Sequence, residues 1–208
     1  MRIIGGEARG RVVRLPAGSR IRPTADRVKE SLCNILHFVE GSSFLDLFAG
    51  SGNVGLEALS RGARFATFVE KDIRLVRALQ GSLVQLGFAA RAEVIAADAE
   101  RGLGRLVQRG NRFDIIFTDP PYDQGLVLQT LVWPDMRKAL AENGIIVLQH
   151  SAREKPKGLQ AQTWVVADQR RYGDTVLTFF KGTDCKGSIN RAPTVPLRKD
   201  NTVSPYRL

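Results

Sequence analysis

Four consecutive residues, Asp119-Pro120-Pro121-Tyr122, combine a carboxylate, two residues without a backbone N–H and an aromatic ring. They follow Phe113-Asp114-Ile115-Ile116-Phe117-Thr118, an apolar run that reads as a buried strand. The prolines fix φ and remove two donors, so nearby carbonyls keep free acceptor capacity. Acceptors beside a ring face suit a flat heterocycle carrying an exocyclic amine. The carboxylate and a carbonyl would take its N–H groups, and the ring would stack on its face. The same four residues also read as a strand closed by a tight turn.

A second constellation lies upstream. In Asp46-Leu47-Phe48-Ala49-Gly50-Ser51-Gly52-Asn53-Val54-Gly55, the glycines at 50, 52 and 55 match G-x-G-x-x-G between a strand and a helix. Such glycines let a ligand approach the backbone. Glu70 ends the next strand, where a carboxylate can accept from both hydroxyls of a ribose. Asp98 follows the third strand and could meet an adenine amine or a neighbouring amide. An adenosine-containing ligand follows from this spacing. The fingerprint alone also fits NAD. Asp46 separates the two, because a carboxylate at the loop mouth repels a pyrophosphate and attracts an ammonium group. S-adenosylmethionine carries adenosine, an ammonium and a sulfonium, and no phosphate. No other cation is expected near the loop. Asp46, Phe48, Gly50, Gly52, Glu70 and Asp98 form the expected cofactor-binding set.

The elements that must hold these residues alternate. Strands are expected at Ser43–Leu47, Phe65–Val69, Ala92–Ala96, Asp114–Thr118 and Ile145–Leu148. Helices are expected near Val54–Ser60 and Ile73–Leu86, then one ending near Arg109, and one through Leu128, Leu131, Val132, Met136 and Leu140 that Asn143-Gly144 closes. Apolar strands alternating with helices mean a parallel sheet covered on both faces. Trp164–Ala167 and Val176–Phe180 are strands joined only by the polar link Asp168–Thr175, too short for a helical crossover, so that pair is expected to be antiparallel. In such a sheet ligands bind beyond the carboxyl ends of the strands. Asp46, Glu70, Asp98 and Asp119 all fall at such ends, so the glycine loop and the Asp119–Tyr122 platform should share one crevice.

Length and charge bound the rest. The chain of 208 residues suits one large domain with small additions. Lys and Arg number 31 against 21 Asp and Glu, a net charge of +10 that favours a polyanionic partner. Residues 1–29 alone carry eight basic and two acidic residues. Arg11, Arg14, Arg22 and Arg27, with Arg170 and Arg171, are the candidates for contact with such a polyanion, which the resemblance given below implies is RNA. Residues 1–42 are expected to form a basic N-terminal extension: a hairpin of Arg2-Ile3-Ile4 and Arg11–Arg14 turned by Gly5, Gly6 and Gly10, then a helix from Thr24 to about His37 with Val28, Leu32, Ile35, Leu36 and Val39 on one face. Residues 43–180 form the main domain, and 181–208 read as a poorly ordered tail. Cys33 and Cys185 make no metal-ligand spacing, and His37 and His150 have no partner at catalytic spacing, so no metal is expected. No apolar stretch approaches membrane-spanning length and no signal peptide is visible, so a cytoplasmic protein is expected. The oligomeric state is left open, with a monomer as the expectation.

Asp119–Tyr122 resembles the (Asp/Asn)-Pro-Pro-aromatic motif of amino-group methyltransferases. The chain as a whole resembles the bacterial 16S ribosomal RNA guanine-N2 methyltransferase family. Met1–Gly6, Gly10-Arg11, Arg22-Pro23-Thr24, Asp46–Gly52, Glu57–Ala63, Phe68-Val69-Glu70 and Arg171–Thr175 carry the likeness, over about residues 1–180. The resemblance implies S-adenosylmethionine as donor, a guanine N2 of small-subunit rRNA as acceptor, and a Rossmann-like, doubly wound sheet of seven strands. It implies catalytic roles for Asp119, Pro120, Pro121 and Tyr122. Cys33 stands where the family usually has an aromatic, Tyr122 replaces a common Phe, and the tail lies outside the pattern. A DNA adenine-N6 or cytosine-N4 methylase would share the pocket, although residues 1–42 are small for target recognition. An NAD-dependent oxidoreductase is opposed by Asp46. A non-catalytic RNA-binding protein would leave the platform at Asp119 idle.

Overall fold

The computed structural model describes residues 1–13, 28–29, 31–32, 36, 39–121, 125–154 and 163–183. In chain order the elements are β1 (Ser43–Asp46), α1 (Asn53–Ser60), β2 (Phe65–Glu70), α2 (Ile73–Leu86), β3 (Ala92–Ala96), α3 (Ala99–Gln108), β4 (Phe113–Thr118), α4 (Leu126–Val132), α5 (Pro134–Ala139), β5 (Leu140–Ser151), β6 (Trp164–Tyr172) and β7 (Thr175–Gly182). The strands form one seven-stranded sheet in the order β3-β2-β1-β4-β5-β7-β6. β1 to β5 are parallel, and β7 runs antiparallel to β5 and β6. This is the Rossmann-like doubly wound architecture expected from the alternation, with its antiparallel C-terminal pair. The order reverses between β1 and β4. The crevice beyond their carboxyl ends is therefore the switch point at which such sheets bind ligands.

Strand side chains alternate between two buried layers, as a period of two requires. Phe44, Phe68, Ile115, Phe117 and Val147 pack with α1, α2 and the N-terminal residues. Leu45, Leu47, Val69, Ile116, Ile146 and Leu148 pack with α3, α4 and α5. Helix α2 is set locally at both ends. Asp72 caps its start by accepting from Arg74 N at 2.9 Å, and Gly87 ends it in the left-handed conformation. Its buried stripe is Leu75, Val76, Leu79, Ser82, Leu83 and Leu86.

The N-terminal residues form a hairpin laid along α1. Ile3 N donates to Arg11 O, Gly10 N to Ile3 O and Val13 N to Met1 O, at 2.9–3.0 Å. The expected strands are reduced to a single bridge between Arg2 and Val12. Glu57, fully buried on α1, accepts Ile4 N at 2.9 Å and Gly5 N at 2.8 Å, and also pairs with Arg61. Ser60 Oγ accepts Ala8 N and donates to Gly5 O. Gly6 has φ +75°, and a Cβ there would lie 1.7 Å from Ser60 O, so no other residue fits. Ile3, Ala8, Val13, Val28, Leu32 and Leu36 share one buried cluster with Phe44 and Phe117. Of the expected helix over 24–37, Val28, Lys29, Ser31 and Leu32 are helical, and the remainder lies outside the described residues apart from Leu36.

Three local expectations are corrected. The single helix through 128–140 is two helices, because Pro134 takes the first position of α5 and forces Trp133 into extended backbone. Leu128 and Val132 are exposed, and Leu131 and Met136 are buried. Asn143-Gly144 does not end a helix. It lies inside β5, where the pairing with β4 shifts between Phe113 and Ile115. The Asp168–Thr175 link is mostly strand: β6 continues to Tyr172 and only Gly173-Asp174 turn the chain. No helix among the described residues is long and apolar enough to cross a membrane.

Candidate active site

The glycine loop is pinned to the strands on both sides. Leu47 N donates to Phe117 O of β4, and Ala49 N to Val69 O of β2, each at 3.0 Å. Gly50 N donates to Glu70 Oε2 at 2.8 Å. The three glycines have different reasons. Gly50 lines the cleft with φ +54°. Gly52 also has positive φ, and a Cβ on it would lie 2.3 Å from Leu79 Cδ1. A Cβ on Gly55 would lie 2.2 Å from the Phe68 ring. Of the three, Gly50 is the one that lines the cleft. The other two let α1 pack closely on its neighbours, which is the third role glycine plays in this fingerprint.

A cleft of about 520 Å³ opens at the switch point, within the roughly 300–1,000 Å³ range of small-molecule sites. Leu47, Phe48, Gly50, Val69, Glu70, Leu75, Ala97, Asp98, Leu126 and Trp133 line it, together with Asp119 and Pro121. The structure thus brings the glycine loop, the ends of β2 and β3, and the start of the Asp119 platform into one cavity. Phe48 meets Trp133 with ring centroids 6.3 Å apart. Pro120 is buried and Pro121 exposed. Tyr122 lies outside the described residues.

The acids differ in their surroundings. Glu70 accepts Gly50 N with one oxygen and Asp72 N at 2.7 Å with the other, so it braces the loop as well as facing the cleft. Asp98 caps α3 by accepting Arg101 N at 3.0 Å and still lines the cleft. Asp46 lies behind the cleft wall at 2 % exposure and accepts Gly55 N at 3.3 Å. Burial pushes its carboxyl from 3.8 up to about 7, helped by the nearby Asp119 and Glu70 charges and opposed by the Gly55 N–H. Asp119 keeps part of its surface on the cleft, but the atoms packed round its carboxyl strip most of its water, raising it to about 7. Gln149 Nε2 donates to Asp119 Oδ2 at 2.8 Å and works in the opposite direction.

This lining fits an adenosine with a cationic tail. The walls are apolar enough to hold a purine, Glu70 is a carboxylate on the cleft that could accept from a ribose diol, and neither Asp119 in the lining nor Asp46 outside it is paired to a cationic side chain among the described residues. One expectation is corrected: a cation does stand near the loop, since Lys71 lines the cleft beside Glu70.

The RNA-contact candidates separate. Arg11 lies on the hairpin and donates to Gln85 O at 2.8 Å, and Arg171 is exposed and donates to Gly173 O at 2.8 Å. Arg170 is paired with Asp168 at 2.9 Å. Arg14, Arg22 and Arg27 lie outside the described residues, as do His37, Cys33 and Cys185. Tyr172, in the same motif as Arg171, meets the hydroxyl of Ser31 and so ties β6 to the N-terminal helical residues. His150 is buried with both ring nitrogens engaged, by Ser151 O and Thr178 Oγ1. Among the described residues no cluster of three or more His, Cys, Asp or Glu could hold a metal ion.

Sequence reasoning missed Gln149, Trp133 and the buried Lys29, whose Nζ bonds Asn53 Oδ1 and Arg2 O at 2.8 Å each. The available signal for Gln149 was a polar residue ending the apolar run Ile145–Leu148 at the carboxyl end of a central strand.

Comparison with known proteins agrees with this geometry. Ribosomal RNA small subunit methyltransferase D of Escherichia coli (strain K12) is 39% identical over 150 residues, 72% of this chain and 74% of that protein. A solved protein from Thermus thermophilus superposes with a TM-score of 0.72 at 34% identity, over 86% of this chain and 98% of the other. A more distant structure solved with SAH, 18% identical over 74% of this chain and 48% of that one, shares the fold with a TM-score of 0.59. Residues 1–181 match the family described as Conserved hypothetical protein 95. The chain belongs to that family.

Proposed function

We propose that the protein is an S-adenosylmethionine-dependent methyltransferase acting on the exocyclic N2 amine of a guanine in 16S rRNA, in the cytoplasm. Its membership in a family with rRNA small-subunit methyltransferases supports the rRNA methyltransferase part of this reading. The observation that carries the rest is one cleft lined both by Gly50, Glu70 and Asp98 and by Asp119 and Pro121. Donor and acceptor sites then share an edge, as transfer of one methyl group requires.

S-adenosylmethionine supplies an electrophilic methyl group. The chain's task is to place a weak nucleophile against it, because the guanine amine's lone pair is delocalised into the ring. Asp119 and the Pro120 carbonyl accept the two N–H bonds of the amine. This favours a pyramidal nitrogen and turns its lone pair toward the methyl. Asp119 then receives the proton that the methylated amine sheds. Tyr122 stacks on the extruded base, which is worth roughly 1–3 kcal/mol. The basic region 1–42, which includes Arg11, supplies phosphate contacts together with the exposed Arg171. The partner is 16S rRNA or an assembling small subunit, met by a monomer.

The test is methyl transfer from labelled S-adenosylmethionine to protein-free 16S rRNA and to small subunits, followed by nucleoside analysis. N2-methylguanosine is the expected product. Transfer to an adenine or cytosine amine, or label in DNA alone, would overturn the assignment.

A further inference from the structure

Gln149 sits at the carboxyl end of β5 beside Asp119. The parallel register of β4 and β5 places Thr118 opposite Leu148, so the residues that follow, 119 and 149, are neighbours at the switch point. The side chain of Gln149 is 4 % exposed, and its Nε2 lies 2.8 Å from Asp119 Oδ2. Its Oε1 is buried with no hydrogen-bond partner among the described residues. The preceding four residues, Ile145 to Leu148, are all buried and apolar.

An amide is a costly choice at this place. A buried acceptor without a partner is unfavourable, and an apolar side chain of the same size would fill the space without that cost. That apolar side chain would leave Asp119 Oδ2 without its donor, so the amide is explained by what its Nε2 holds and not by its own burial. The reverse amide orientation would set Oε1 against the carboxylate, two acceptors facing each other, which disfavours the anion. With Nε2 forward, one carboxylate oxygen is tied and the side chain cannot turn. No other hydrogen bond reaches Asp119 among the described residues, which leaves Oδ1 for the cleft. A lysine or arginine in the same place would also hold Asp119, but would set a cation beside a sulfonium.

We propose that Gln149 is the positioning residue for Asp119, fixing one carboxylate oxygen and favouring its anion while the other oxygen accepts the substrate amine and then its proton. The inference rests on the methyltransferase reading above and adds a residue to it. Among the described residues the charged groups around Asp119 are Asp46 at the end of β1 and, farther round the cleft, Glu70 and Lys71 at the end of β2 and Asp98 and Glu100 at the start of α3. Burial already raises the Asp119 carboxyl and the Gln149 amide lowers it, so loss of the amide moves it further up.

The experiment is the pH dependence of kcat for wild type, Gln149→Leu and Gln149→Glu. Gln149→Leu should displace the acid limb upward by about one pH unit, seen as about tenfold slower turnover near pH 6.5 that recovers above about pH 9. Gln149→Glu should displace it further, by adding a second carboxyl. Donor affinity should stay within about twofold. A wild-type and Leu profile that superpose, or a loss of equal size at every pH, would overturn the proposal. Titration of the Asp119 carboxyl by carbon NMR supplies a readout independent of turnover. An inactive wild type with an Asp119 titration that moves in Gln149→Leu would refute the methyltransferase reading and keep the hold of Gln149. An active wild type with an unmoved titration would do the reverse.

Discussion

Replacing Asp46 by Asn tests the electrostatics of the cleft most directly. The Asp46 carboxyl goes from 3.8 to about 7 on folding, chiefly because it is stripped of water. That gap corresponds to about 4 kcal/mol of unfavourable free energy once the group is ionised in both states. The sign follows from proton counting. Between about pH 4 and about pH 7 the folded protein holds a proton that the unfolded chain has already lost, so stability falls as pH rises through that window. Asn keeps an acceptor for Gly55 N–H but brings an NH₂ group without a partner, which offsets about 1–3 kcal/mol at every pH. Asp119 is also raised to about 7 in the wild type, and because the two carboxyls repel each other, loss of the Asp46 charge eases the ionisation of Asp119 and acts in the same direction. The difference in unfolding free energy between Asp46→Asn and wild type should therefore change by about 3 kcal/mol in favour of the variant from pH 4.5 to pH 8. Urea unfolding at those two values measures it. Calorimetry with S-adenosylmethionine supplies the functional half: at pH 8 the variant should lose at least about tenfold in donor affinity, and far less at pH 5, where the wild-type carboxyl is itself protonated. A stability difference that stays constant with pH would show that Asp46 is not held in the dry setting described, and the reasoning on the cationic donor would go with it.

The remaining expectations are briefer. Asp119→Ala should lower turnover by at least about 100-fold while donor binding survives; near-normal turnover would remove Asp119 from the chemistry. Glu57→Ala leaves Ile4 N and Gly5 N without their acceptor, which should cost about 2–3 kcal/mol in chemical unfolding and weaken rRNA binding more than donor binding. Unchanged rRNA affinity would show that the hairpin takes no part in recognition. Affinity for rRNA should fall at least about tenfold between 50 and 200 mM salt, followed by filter binding, and a flat response would count against phosphate contact by the basic region.

The parts of the fold legible in the sequence are those where local signals agree. β2, α2 and β3 were readable because Ile73–Leu86 has an unbroken 3.6-residue stripe between Asp72 and Gly87, both of which cap it. The reading failed where contacts distant in sequence decide. Asn143-Gly144 looks like a helix terminator, yet a Cβ on Gly144 would lie 2.9 Å from Phe113 O, so the glycine is there to admit β4. The glycine spacing shows room for a ligand, but not that a Cβ on Gly52 or Gly55 would also strike Leu79 or Phe68. The acids at the strand ends were legible because strand ends are predictable from pattern. Gln149 was not, because its meaning depends on the register between β4 and β5. Arg170 is an RNA-contact candidate by type alone, and its pairing with Asp168 two residues earlier shows only once β6 is formed.

Helix α1 explains why the motifs at Met1–Gly6, Asp46–Gly52 and Glu57–Ala63 occur together. Its first turn follows the glycine loop, and Lys29 Nζ bridges Asn53 Oδ1 there to Arg2 O of the hairpin. Its last turn carries Glu57 and Ser60, which hold Ile4, Gly5 and Ala8. Lys29 is 1 % exposed and Glu57 0 %, so each depends on the partners the hairpin supplies. A shift of the hairpin along α1 would have to strip both buried charges of hydrogen bonds at once. The hairpin is thus fixed to both ends of the short helix that the glycine loop leads into, so the position of the basic segment relative to that loop is set by packing and buried hydrogen bonds.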